Sequence, residues 1–155
     1  MVRGLAGILA CVPIALSAAQ PGLPKAADLG ADGAAMRAAK MPMVVLYSQA
    51  DCSYCDQART YLVPMAKDPA NAQRALFRQI DMDSDAALVD FAGKPSTHRR
   101  LARQLGAKFT PTVAVLDADG RTLGEPIVGM RLADFYGQYV ENAIDDGRAA
   151  LAARP

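Results

Sequence analysis

Two cysteines three residues apart, in Cys52-Ser53-Tyr54-Cys55, constrain this chain more than any other feature. They follow an apolar run, Met43-Val44-Val45-Leu46-Tyr47, and open a stretch whose apolar residues Ala58, Tyr61, Leu62, Met65 and Ala66 fall at helical spacing. A cysteine pair at i and i+3 on a helix start puts two sulfurs within bonding reach. The first sulfur lies at the positive end of the helix dipole, which favours its thiolate. That is the equipment for reversible dithiol/disulfide chemistry.

The pair must be read with the N-terminus. Arg3, the apolar stretch Gly4 to Leu16 and the small residues Ser17-Ala18-Ala19 read as a secretory leader over 1–19, cleaved before Gln20. A retained anchor is the rival, but the apolar stretch is shorter than the roughly 20 residues a spanning helix needs. Cys11 leaves with the leader, so Cys52 and Cys55 remain of the three cysteines. In an oxidising compartment they are expected as a disulfide. A bridge closing so short a loop restrains the unfolded chain little, which argues against a mere staple. Arg3 is the leader's one charge, so the exported chain balances its acids and bases, from 17 Lys and Arg and 16 Asp and Glu in all. No nucleic-acid partner is expected from that balance.

The 155 residues make one domain. Residues 20–27 read as a loose linker, 28–146 as the domain and 147–155 as a tail. Asp28 to Lys40 reads as a helix ended by Pro42. Met43 to Ser48 lacks alternation and reads as a strand buried on both faces. Pro64 should kink or end the helix that begins at Ser53, and Asp68 to Asn71 reads as a turn. Leu76 to Met82 reads as a strand, and Ser84 to Lys94 as irregular or a short helix. Ser96 is expected to cap a helix running to Leu105 and stopped by Gly106. Thr112 to Leu116 reads as a strand, Asp117 to Gly120 as a hairpin turn, and Leu123 to Val128 as the returning strand. The last helix carries Leu132, Phe135, Tyr136, Tyr139, Val140, Ala143 and Ile144 on one stripe and should fray after Asp146-Gly147. The order predicts an α/β chain. Its central mixed sheet has parallel strands plus an antiparallel edge hairpin, with helices on both faces.

With these features in this order, the chain resembles the thioredoxin superfamily over roughly Asp28 to Ile144. The resemblance rests on the strand before Cys52-Ser53-Tyr54-Cys55, the strand ending Ile80-Asp81, Thr110-Pro111-Thr112, the Asp119-Gly120 hairpin and Gly129 before the last helix. It is most similar to the exported bacterial branch, such as periplasmic reductases of sulfur oxidation or cytochrome maturation. It departs from cytosolic thioredoxins in having Ser53-Tyr54 between the cysteines. Asp51 replaces an aromatic residue, and Leu46 stands where they bury an aspartate six residues before the first cysteine.

The resemblance implies an exported, periplasmic thiol–disulfide oxidoreductase with the thioredoxin fold. Cys52 would be the nucleophile and Cys55 the resolving thiol, with Ser53 and Tyr54 tuning the helix start. Pro111 would be cis and face the pair, and Thr110 would offer its backbone to an extended substrate. Reduction of protein disulfides is the expected direction, because the chain is a bare module with no room for an isomerase's dimerisation domain. It is expected to act as a monomer, fed by a membrane thiol–disulfide donor and needing no cofactor beyond its own Cys52–Cys55 disulfide. The alternatives are a periplasmic oxidant or isomerase, or a Cu(I)-binding metallochaperone module using the same two soft thiolates near Met41 and Met43. Zinc wants four ligands, and the exported chain has two cysteines and His98. His98, beside Arg99 and Arg100, is expected to be solvated.

Overall fold

The computed structural model describes residues 22–131 and 133–154. The expected leader, the first two residues of the expected linker and Leu132 lie outside them. β1 (Met43–Ser48) is buried along its whole length, as its unbroken apolar run requires. It is central in a four-stranded sheet of order β2-β1-β5-β6, with β2 at Leu76–Asp81, β5 at Thr112–Leu116 and β6 at Ile127–Val128. β1 and β2 are parallel, from Met43 opposite Leu76 to Ser48 opposite Asp81. The helix α2 (Ser53–Lys67) makes the crossover between them.

β5 is antiparallel to β1, with Tyr47 opposite Thr112 and Met43 opposite Leu116. A parallel strand was expected there. The chain leaves β2 at the cysteine end of the sheet and, after an excursion that brings Phe91 against Gly120, comes back to that end. It forms a separate hairpin, β3 (Ala87–Val89) and β4 (Pro95–Thr97), and then α4 (His98–Gln104), before entering β5 from that same end. That path delivers Thr110-Pro111 to the end of β1 from which the cysteines emerge.

Successive β1 side chains serve two cores. Val44 and Leu46 pack with Ala58 and Leu62 of α2 and with Tyr136, Val140 and Ile144 of α5 (Tyr136–Ala152). Met43, Val45 and Tyr47 pack with Leu29 and Met36 of α1 (Leu29–Ala39) and with Leu101 and Ala102 of α4. Burying each such side chain contributes about 1.5–3 kcal/mol, which fixes the register of β1 and the exit of the chain towards Cys52.

Several expectations are corrected. Residues 22–27 are no loose linker. Leu23 and Ala26 are buried, and Ala26 N–H donates to the Gln79 carbonyl at 2.9 Å, while Gln79 N–H donates to that of Pro24 at 2.9 Å. The segment covers the open edge of β2, which would otherwise leave backbone groups unpaired. Pro64 does not stop α2, because Leu62 and Val63 hold it on the core and one missing N–H near its end is tolerated. Residues 68–71 tighten into the one-turn helix α3 (Pro69–Ala72), capped by Asp68. Ser96 is held extended by pairing with Leu88, so the cap of α4 passes to Thr97, whose hydroxyl accepts from Arg100 N–H. After the turn at Asp117–Gly120 the return is brief, one bridge from Leu116 to Thr122 and then β6.

α5 runs through the expected tail to Ala152. Gly147 lets it lie against the sheet, since a Cβ there would meet Val115 Cγ1 at 2.7 Å. Arg154 then ties the end of the chain to Asp117.

Candidate active site

The site is built from the end of β1 outwards. Asp51 turns the loop with φ of 51°, and Asp83 accepts Ala50 N–H at 2.9 Å. Cys52 is the N-cap of α2, a position that leaves several backbone N–H groups without helical partners. Its carbonyl accepts from the N–H groups of Cys55 at 2.9 Å and Asp56 at 3.0 Å. Its Sγ also receives Cys55 N–H at 3.1 Å, the role a cap hydroxyl usually fills. Cys52 and Cys55 are joined as a disulfide. Cys55 is fully buried, whereas Cys52 reaches the surface in part. Ser53 is exposed, and Tyr54 stands 64% exposed.

Thr110 lies against this pair, and Pro111 follows it at the entry to β5. Thr110 Oγ1 is 3.9 Å from Cys52 Sγ. A disulfide sulfur has no hydrogen, so any weak bond there is donated by the hydroxyl. The Thr110–Pro111 peptide is cis. The loop is held from both sides, with Thr112 Oγ1 donating to the Phe109 carbonyl at 2.8 Å and Gly129 N–H to that of Pro111 at 2.8 Å. Phe109, just before Thr110, is exposed. All six residues singled out in the sequence thus meet at one end of the sheet.

Behind Cys55 lies a polar chain that the sequence did not announce. Arg59 of α2 binds Asp56 at 2.6 Å, the hydroxyl of buried Ser48 at 2.8 Å and Gln79 Oε1 at 3.4 Å. Gln79 Nε2 donates to Asp81 Oδ1 at 2.6 Å, and Lys25 binds Asp81 Oδ2 at 2.6 Å. Burial pulls the Asp81 carboxyl up, but its bonds to Lys25 and Gln79 outweigh that and hold it below the ordinary value. One signal was available, since Asp56 and Arg59 stand at i and i+3 on a predicted helix. The rest depends on strand alternation, which turns Phe77, Gln79 and Asp81 to the α2 side.

His98 is corrected from solvated to buried. Its Nδ1 accepts Asp81 N–H at 3.1 Å, so the ring holds its proton on Nε2. Burial pushes its pKa below the ordinary value, although the Asp81 carboxylate pulls the other way. Tyr47, under the same end of the sheet, is raised by burial.

The fold has solved counterparts at low identity. The periplasmic thioredoxin SoxS of Paracoccus pantotrophus is 18% identical, with 68% of this chain and 97% of that one covered at a TM-score of 0.47. A thioredoxin of Malassezia sympodialis is 12% identical, covering 85% and 98% at 0.51. The C-terminal domain of Neisseria meningitidis DsbD is 19% identical, covering 77% and 98% at 0.47. No curated protein matches the chain. The family described as thioredoxin-like domain matches residues 30–144. That span is most of the chain and includes both cysteines and Thr110-Pro111, so the chain belongs to the thioredoxin-like family and is a thiol–disulfide oxidoreductase.

Proposed function

We propose that this chain is an exported, periplasmic enzyme that reduces disulfides in other proteins. The observation that carries the reading is the inequality of its two sulfurs, Cys52 part-exposed at the helix cap and Cys55 buried one turn in. A substrate can approach the first and not the second. In the reduced protein Cys52 Sγ attacks a substrate disulfide, forming a mixed disulfide and releasing one substrate thiol. Cys55 Sγ then attacks Cys52 Sγ, the bridge closes, and the second substrate thiol leaves. Two electrons pass from the Cys52–Cys55 dithiol to the substrate.

The Cys55 N–H aimed at Cys52 Sγ supports that sulfur as a thiolate. Thr110 lies just outside the paired register of β5, so its backbone can join an extended substrate segment beside the attacking sulfur. Pro111 supports that position, Tyr54 offers the substrate an apolar rim, and Ser53 completes the helix start.

The surroundings of Cys52 favour a reductant. Its Sγ has one backbone N–H and one neutral hydroxyl as neighbours within bonding distance, and Asp51 and Asp56 flank the pair. A strong oxidant stabilises its reduced form far more. A reductant in an oxidising compartment must be recharged, so a membrane dithiol donor is part of the proposal. The enzyme acts as a monomer without a bound cofactor, and the leader at 1–19 directs its export. The deciding measurement is the reduction potential of Cys52/Cys55, by equilibration with glutathione buffers on the protein lacking 1–19. A value near about −270 mV is expected, and one approaching about −120 mV would make the protein an oxidant and overturn the direction.

A further inference from the structure

Cys55 must become a thiolate to close the bridge, yet it is buried, and Leu46, buried on the strand that leads to the pair, cannot take a proton. The charge at this buried end comes from α2 itself. Arg59 follows Cys55 by four residues, so both side chains leave the helix on one face. Helical side chains lean towards the N-terminus, which lays Arg59 over the turn that carries Cys55 and Asp56. Its bonds fix it there, to Asp56 at 2.6 Å, Ser48 Oγ at 2.8 Å and Gln79 Oε1 at 3.4 Å. The side chain is only 23% exposed, so solvent screens its charge less than at the surface.

We propose that Arg59 is a positioning residue for the resolving step, its guanidinium stabilising the Cys55 thiolate as it forms, with Asp56 setting how much of that charge Cys55 feels. The inference rests on the exchange reading above. In that step the Cys55–Cys52 bond forms and the Cys52–substrate bond breaks. The Cys55 proton ends on the departing substrate sulfur. Arg59 stays protonated and transfers no proton, so the balance needs no further reactant. Among the described residues, the elements that carry and lead into Cys55 bring Asp56 and Arg59 on the first turns of α2 and Asp51 in the preceding loop. Beyond Gln79 lies the Asp81–Lys25 pair on β2 and the N-terminal segment. Asp56 is 73% exposed and bonded to Arg59, so removing its charge unmasks the guanidinium.

The test separates the two sulfurs in time. Reduced protein is mixed with one equivalent of dithiobis(nitrobenzoate). Its coloured thiolate leaves once when Cys52 attacks and again when Cys55 closes the bridge. The second release is followed against pH. In Arg59→Met its midpoint should rise by about one pH unit, the size expected on losing one close opposite charge. Below that midpoint the rate should fall about threefold, because the rarer thiolate is also the stronger nucleophile. Arg59→Lys should restore the parent midpoint, and Asp56→Asn should lower it, a sign that damage to the fold would not give. An unmoved midpoint in Arg59→Met overturns the proposal. So does an equal slowing of both releases that Lys does not rescue. A parent protein that gives the first release and never the second would instead break the exchange reading itself.

Discussion

Two aspartates are buried at opposite ends of the sheet, and each is held by a cation. Asp81 ends β2 beside the cysteine pole, and Asp117 follows β5 at the far pole. Burial pulls both carboxyls up, and stronger bonds to neighbouring donors bring both below the ordinary value. The donors differ in kind. Asp117 Oδ1 takes the backbone N–H groups of Asp119 at 2.9 Å and Arg121 at 2.8 Å, and Oδ2 takes Arg154. Asp81 is held by side chains, Lys25 and Gln79, and through Gln79 it continues to Arg59 and the first turn of α2. An acid bonded to backbone locks a turn. An acid bonded to side chains belongs to a network that can adjust as charge appears and disappears at a nearby sulfur.

That contrast predicts chemistry lost at one pole and stability lost at the other. The largest effect should come from Cys55→Ser. Turnover of a protein disulfide should fall by about a thousandfold or more. The chain should accumulate as a covalent adduct through Cys52, visible on a non-reducing gel and cleared by added thiol. Thermal stability should move little, because the bridge spans so short a loop. An active Cys55→Ser enzyme without adducts would sink the two-sulfur mechanism.

Asp117→Ala should do the reverse. It strips the bonds from two turn N–H groups and leaves Arg154 without its partner, a loss of about 2–4 kcal/mol. Urea unfolding should show that loss. The rate of disulfide exchange per folded molecule, measured well below the transition, should stay with the parent. A matching drop in exchange rate would mean the far pole is coupled to the cysteines and would erase the contrast.

The two poles were unequally legible in the sequence. Cys52 and Cys55, the buried β1 and Thr110-Pro111 are local signals, each carried by a few consecutive residues, and they led to the site. The hairpin turn at the far pole was likewise local, with Asp117 and Gly120 at turn positions. The network behind Cys55 joins Lys25 to Asp81 and Arg59 to Gln79, pairs set by a crossover helix and a strand edge rather than by any periodic pattern. The direction of β5 was missed for a related reason. Helical spacing in α4 says nothing about which end of the sheet the helix occupies. His98 was misread because two arginines beside it suggested a charged surface, while its own position on α4 faces β2. Thr97 and Ser96 are both competent caps, and only the pairing of Ser96 with Leu88 decides between them.

His98 offers the finest test of the contrast, and the smallest effect. Its ring accepts Asp81 N–H and is packed at the cysteine pole, where Lys25 and Asp81 are the charges that face it, with Arg99 next to it on α4. Burial lowers its pKa, Lys25 acts in the same sense, and the Asp81 carboxylate and Ala26 carbonyl act against them. The folded protein therefore takes this proton less readily than the unfolded chain. Stability contributed by neutral His98 is complete above the ordinary value of 6.5 and declines as pH falls below it, towards the lower folded value. The slope cannot exceed about 1.4 kcal/mol per pH unit for one proton. Urea midpoints followed from neutral pH to about pH 5 should decline in the parent. They should decline less in His98→Asn, which can keep an acceptor for Asp81 N–H without titrating. Asp117 does not titrate in that window, since its pKa lies below the usual carboxylate value, so the far pole contributes nothing to the difference. Parallel slopes in the two proteins would mean that His98 does not set the acid response. The side-chain network at the cysteine pole would then be no more responsive than the backbone-bonded turn opposite it.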